Sequence, residues 1–204
     1  MIHCAQLKKK KPIDYVAFLH CKTPEEVFEK VKSWSTKSSD SEHVARSVIL
    51  EIHAKIDEKM KRILFLHMKK IVLMIKDRAE NQSYVDALEK TVFGMSFGHV
   101  HRLLKPCFDS FLSVELGEHL PALNTLRNSL AHKSIDAVIY HGKNPLKDFS
   151  SLAEVYVNSW AVHQLLNEFI EKMIEDHEYY RGLGMQASWA GWKPPEKPKA
   201  SKAQ

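Results

Sequence analysis

Between Val44 and Ile75 the apolar residues Val44, Val48, Ile52, Ile56, Met60, Ile63, Leu64, Ile71 and Ile75 keep mostly three- and four-residue spacing. That is the period of one side of an α-helix, and its length predicts a single long helix. A second long helix is predicted from the Ser151-Leu-Ala-Glu154 capping box to about Tyr180, before Gly182 and Gly184 stop it. With seven Gly and eight Pro in 204 residues, the chain is not built like a loop-rich β protein. At 44% hydrophobic it can bury a real core, with roughly 70% of the unfolded surface removed from water at this size. The expected fold class is all-α, a four- to five-helix bundle.

Thr23-Pro24-Glu25-Glu26 is a capping box with Pro at the first helical position, predicting a helix to about Trp34. Ser35–Ser41 reads as a linker. Residues 1–40 are therefore taken as a short N-terminal helical appendage, 41–185 as the bundle domain and 186–204 as a disordered basic tail. Inside the bundle, shorter helices are expected at Ser83–Phe93, Phe97–Lys105 and Cys107–Leu116, punctuated by Gly94, Pro106 and Gly117. Pro121 can open another, through about Lys133. Ile135–Tyr140 is apolar and β-branched before the turn His141-Gly142-Lys143-Asn144-Pro145, so it is either a hairpin arm or a loop.

The formal charge of +5 is unevenly placed: residues 1–11 carry +4 and residues 193–204 carry +3. Subtracting these leaves −2 on residues 12–192. The basicity belongs to the ends, so it gives no nucleic-acid-binding surface on the folded body. One body stretch, residues 55–78, is net basic, with eight cationic and three acidic side chains. Cys4, Cys21 and Cys107 form no CxxC pair, a pattern that fits a reducing, cytoplasmic setting. The longest apolar run, Ile71–Ile75, is too short for a membrane span. Asp14 and His20 interrupt the segment after the first lysines, so no signal peptide is expected.

Chemistry concentrates in Leu123-Asn124-Thr125-Leu126-Arg127-Asn128-Ser129-Leu130-Ala131-His132. On a helical wheel Leu123, Leu126 and Leu130 make a core stripe, while Asn124, Asn128 and His132 line a polar face with Arg127 at its margin. These residue types suit phosphodiester chemistry. A fixed guanidinium steadies phosphate charge, an imidazole moves protons near neutral pH and an amide orients the substrate.

Arg127-Asn128-Ser129-Leu130-Ala131-His132 resembles the marker of the HEPN superfamily: Arg, often followed by a polar residue, then His after four to six residues. The resemblance spans roughly Ser41–Tyr180 and agrees with long helices before and after the motif. It implies a metal-independent endoribonuclease of toxin or defence type that needs no cofactor. Two motifs would meet across a homodimer, and a ribose 2′-hydroxyl would attack the adjacent phosphate. Arg127 would hold that phosphate, His132 would be general acid or base, and Asn128 would position them. Implied partners are RNA and a protein antitoxin or regulatory partner, with no membrane.

Two further Arg–His pairs fit the marker, Arg62 with His67 at the same short spacing and Arg46 with His53 at the long one. Asn128 and the preceding Leu-x-x-Leu set the third match apart. The chain is also similar to mannitol operon repressor-like proteins, which share an Arg-Asn followed by Ala-His and imply a non-catalytic regulatory module. On a purely structural reading of the same residues, Arg127 would form an internal salt bridge and His132 would cap carbonyls at its helix end.

Accessory candidates are Glu51, which can approach the motif from the long helix, and His141, which can contact phosphate beside Gly142 and Lys143. His99 and His101 diverge by roughly 200° on a helix, which argues against a metal site. Trp189 and Trp192, set among the terminal lysines, offer stacking surfaces for bases. No glycine-rich phosphate loop, serine nucleophile motif or dinucleotide fingerprint is present.

Overall fold

The computed structural model describes residues 16–35, 41–75 and 81–182. Six α-helices follow in order: α1 (Pro24–Ser35), α2 (Ser41–Ile75), α3 (Asn81–Phe93), α4 (Phe97–Phe111), α5 (Val114–His132) and α6 (Phe149–Gly182). Short 3-10 helices occupy Ala17–His20 and Ile135–Ala137. Among the described residues there is no β-strand, only an isolated antiparallel bridge between Tyr140 and Lys143. The all-α expectation holds: five helices, α2–α6, make up the expected bundle segment and α1 is the helix of the N-terminal segment.

The two longest helices form the backbone of the bundle. At 35 and 34 residues, α2 and α6 are each about 50 Å long. Much of the predicted stripe on α2 is buried: Val48, Ile52, Ile56, Met60, Ile63 and Leu64 are all core residues, joined by Ile49. Val155, Val162 and Leu166 of α6 join them in one core with Leu120, Leu123 and Leu126 of α5. The remaining helices pack around this pair because each has one apolar face to cover.

Residues 16–35, expected as an appendage, contribute to that same core. Phe18 is fully buried and stacks on Tyr156 of α6 at 5.0 Å between ring centroids. The Trp160 indole N–H donates to the Cys21 carbonyl at 2.8 Å, and the Gln164 amide donates to the Leu19 carbonyl at 2.6 Å. Val27 and Val31 of α1 are buried beside them. The predicted start of α1 is present: the Glu26 N–H donates to Thr23 Oγ1 at 3.3 Å, and Glu26 Oε2 accepts from the Lys22 N–H at 2.9 Å. The expected tail at 186–204 and the basic residues 1–11 lie outside the described residues, as do Trp189 and Trp192.

Three boundaries differ from the sequence expectations, each for a local reason. Helix α4 runs through Pro106, and α5 runs through both Gly117 and Pro121. Each proline sits on an exposed side of its helix, where water can take the carbonyl left without its i+4 donor. Burial of Leu104 and Phe108 on one helix, and Leu120 and Leu123 on the other, holds the turns together across the interruption. The actual break is at Leu112–Ser113, both extended, where Ser113 Oγ accepts from the Leu116 N–H at 3.4 Å as an N-cap. Likewise α6 begins at Phe149 rather than Ser151. Asp148 Oδ1 accepts from the Ser150 N–H at 2.9 Å, while Ser151 is turned inward and buried.

Candidate functional site

Helix α5 carries the motif, and its leucine stripe fixes which way each motif residue points. Leu123, Leu126 and Leu130 are at most 1% exposed. Arg127, Asn128 and His132 are all exposed, on the remaining circumference. The Arg127 Nη1–H donates to Asn128 Oδ1 at 3.1 Å, so the guanidinium is held by a neutral amide. No ion pair to Arg127 is present among the described residues, and the internal salt bridge considered from sequence is not formed. His132 occupies the last turn, with the chain leaving the helix at an extended Lys133. No described side chain hydrogen-bonds to it. Within one chain the helix places Arg127 and His132 about 140° apart around the axis, so the pair does not close on itself.

Behind this face lies a second polar layer that the sequence reading did not assign. His53 of α2 is 9% exposed, its ring stacked on Phe97 of α4 at 4.4 Å. Its Nε2 lies 3.3 Å from Asn124 Oδ1, so the ring carries its proton there and donates to the α5 amide. Burial holds the His53 imidazole below the ordinary histidine range. Asn124 and Asp57 oppose the shift, while Arg127 and Lys61 reinforce it. Asp57 pairs with Lys61 at 2.7 Å, both largely shielded from water. Two turns earlier on α2, Arg46 Nη2 donates to the Leu130 carbonyl. That oxygen is one of the last four of α5, which have no partner within their own helix.

The opposite side of α5 is occupied by a fully internal network. His119 is inaccessible, with Nδ1 2.7 Å from Tyr140 Oη and Nε2 3.0 Å from Ser159 Oγ. The Asn158 amide donates to Tyr140 Oη at 3.4 Å. The phenol O–H is thereby turned toward Nδ1, and the imidazole N–H donates to Ser159. Burial pushes the His119 ring down to about 3 and the Tyr140 phenol up to about 12. Both are neutral at any physiological pH, which suits them to structure rather than proton transfer. His163 of α6 is also buried and pushed down to about 4, first by burial and then by Lys59, His20 and Lys55.

The two accessory candidates stand apart from the motif. Glu51 is exposed on the outer side of α2, lining a shallow cleft of about 390 Å³ with Ser47, Leu50, Ala54, Lys55 and Glu58. Rotation along α2 turns it away from the side carrying Arg46 and His53, and no described contact joins it to His132. His141 lies in a two-residue turn. Tyr140 and Lys143 exchange backbone hydrogen bonds at 2.7 and 3.0 Å, and both central residues have positive φ, +45° at His141 and +80° at Gly142. The turn predicted there is present, but its histidine packs edge-on against Tyr140.

His101 leans on Phe108 while His99 is exposed, and among the described residues no three His, Cys, Asp or Glu side chains converge as a metal site would require. A second open cleft, about 420 Å³ between α4 and α5, is lined in part by His101, Lys105, Ser113 and Glu118 and excludes the motif. Among the described residues no helix is long and apolar enough to cross a membrane.

Comparison with protein-family models, curated proteins and solved structures finds no match to this chain. The chemical case therefore rests on the α5 residues and their neighbours. Sequence reasoning found Arg127, Asn128 and His132 through their spacing and their distance from the leucine stripe. It placed Asn124 on the polar face but did not foresee its bond to His53, and it gave no structural role to His53 or His119. One signal was available: Arg46 and His53 fit the Arg–His marker at its long spacing on the predicted long helix.

Proposed function

We propose that this chain is a homodimeric, metal-independent endoribonuclease of toxin or defence type, built on Arg127, Asn128 and His132. The observation that carries the reading is the exposed Arg127 guanidinium, fixed by the Asn128 amide and unpaired with any described acid. Such a group has its remaining N–H donors available for a phosphate. A buried arginine or an ion-paired one would be spent on structure.

The chemistry follows from those groups. A His132 imidazole takes the proton of a ribose 2′-hydroxyl as that oxygen attacks the adjacent phosphorus. The bond from phosphorus to the 5′ oxygen breaks, and a second imidazole gives that oxygen a proton. The products are a 2′,3′-cyclic phosphate and a free 5′-hydroxyl. Arg127 stabilises the charge that gathers on the phosphate oxygens in between. One chain supplies a single His132, set well around the helix from its own Arg127, so a two-fold pair of α5 faces provides both the acid and the base. Bringing two copies together also adds the basic 55–78 stretches to a body that is otherwise slightly acidic.

Mixed RNA incubated with purified protein, with and without EDTA, tests this directly. Wild type is expected to leave cyclic phosphate ends in both conditions, and Arg127→Ala and His132→Ala to lose activity by about a hundredfold or more. Equal cleavage by all three proteins eliminates the site.

A second reading has an observation of its own. Neither described cleft includes the motif, and an exposed polar helix face outside those clefts also suits a non-catalytic protein-interaction module, as in mannitol operon repressor-like proteins. A folded dimer with no cleavage under any condition supports that reading, with a regulatory or antitoxin protein as the partner of the α5 face.

A further inference from the structure

His119 ties the first half of α5 to α6, but beyond Pro121 the helix has weak means of fixing its own rotation. Its buried stripe, Leu123, Leu126 and Leu130, is apolar, and apolar contact is non-directional. One turn before Asn124, Pro121 has no N–H for the Gly117 carbonyl, so the helix lacks one backbone hydrogen bond between His119 and the motif. Yet Arg127 and Asn128 act only if they point in one direction. A roll of about 10° moves an atom about 6 Å from the helix axis by about 1 Å. Displacements of that size in a reacting constellation can cost about a hundredfold in rate.

Two side chains of α2 supply the missing constraint. Arg46 holds the Leu130 carbonyl and His53 holds the Asn124 amide. Rising along α2 from Arg46 to His53 means descending along α5 from Leu130 to Asn124, so the helices run antiparallel and the two bonds act as separate ties. Arg127 and Asn128 lie between them. The His53 ring is itself backed by Phe97, so the tie has a rigid base, and the cationic Arg46 is matched to the carbonyl end of α5. Arg46 and His53 are also one of the two Arg–His pairs in the sequence that the proposed reaction leaves unused.

We infer that Arg46 and His53 are positioning residues that clamp α5 to α2 on either side of Arg127 and Asn128 and set the direction in which those side chains are presented. The effect on cleavage rests on the ribonuclease reading, whereas the clamp itself does not.

The test compares Arg46→Met and His53→Leu with Arg46→Lys and His53→Gln, which keep a donor at each place. Phe97→Leu, which removes the ring under His53 while keeping an apolar core residue, is a gentler third disruption. Two readouts are taken well below each unfolding midpoint: RNA cleavage kinetics, and hydrogen exchange of the α5 amides Thr125–Ala131 against the α6 amides Val162 and Leu166.

The clamp requires kcat to fall by about tenfold or more in Arg46→Met and His53→Leu, with KM changing by less than about threefold. Both donor-keeping variants should recover most of it. In the disrupted variants the α5 amides should exchange about tenfold faster while the α6 amides stay near wild type. Phe97→Leu should move the same way by less. Unchanged kcat overturns the inference, and so does exchange that rises equally in α5 and α6 or a donor-keeping variant as impaired as its apolar counterpart. If wild type cleaves no RNA, the ribonuclease reading fails, and the exchange measurement alone decides the clamp.

Discussion

Helix α5 presents two polar clusters of opposite character within its 19 residues. On one side His119 is sealed inside, bonded through both ring nitrogens to Tyr140 and Ser159. On the other, Arg127, Asn128 and His132 face outward, with Asn128 the single partner of Arg127 among the described residues. Both contain a histidine, but burial has made one permanently neutral and left the other in contact with solvent. The inner cluster orders the chain from α5 through the Tyr140 turn to α6. The outer one has donors to spare, so burial and partners, and not residue type, distinguish the two histidines.

The contrast can be broken most decisively by substitution. His119→Ala removes a buried ring and leaves Tyr140 and Ser159 without their shared partner. The expected cost is about 3 kcal/mol or more, a fall in Tm of roughly 10 °C in a thermal melt. Arg127→Ala should shift Tm by less than about 2 °C while abolishing cleavage. A large stability loss from Arg127→Ala would place the outer cluster in the structural class and erase the distinction.

Protonation sharpens it further. His53, His119 and His163 are all held below the ordinary value of 6.5 by burial. The fold keeps them neutral where the unfolded chain would take up protons, so stability is full above about pH 7 and falls as the pH drops toward 4. The slope approaches about 1.4 kcal/mol per pH unit for each group. Urea midpoints measured between pH 7 and pH 5 should decline steadily, and His163→Gln should flatten the slope by about one proton. A midpoint independent of pH across that range would contradict the buried neutral assignment.

The smallest effect tests how the inner cluster reaches Tyr140. Gly142 has φ +80° with open space around it, so Gly142→Ala meets backbone strain rather than a clash. About 1 kcal/mol, or roughly 2–4 °C in Tm, is expected. Because the turn holds Tyr140 against His119, the loss should shrink in a Tyr140→Phe background, which a double-mutant cycle would read.

Much of the fold was legible because hydrophobic period and end signals are local. The stripe on α2, the existence of the second long helix, the Thr23 cap and the His141–Gly142 turn all follow from residues close together in sequence. The breaks expected at Pro106, Gly117 and Pro121 were misplaced because a proline on an exposed helix side loses one hydrogen bond that water replaces, while burial on the other side continues. The inward role of Ser151 was hidden for a related reason, since Asp148 offered the better cap. At the site, exposure of Arg127, Asn128 and His132 was readable from their offset from Leu123, Leu126 and Leu130. The packing of residues 16–35 on α6, the His53–Asn124 bond and the His119 network were not, because each joins segments whose proximity no local pattern encodes.

The clamp also has a bearing on the order of folding. Its two bonds span 84 and 71 residues of chain, so neither can form until α2 and α5 have both been made and brought together. Closing loops of that length comes late relative to helix formation within each segment. A nascent or partly folded chain can therefore hold Arg127, Asn128 and His132 on a formed helix without yet orienting them. The outer face would become competent only at the end of folding, together with the core that supports it.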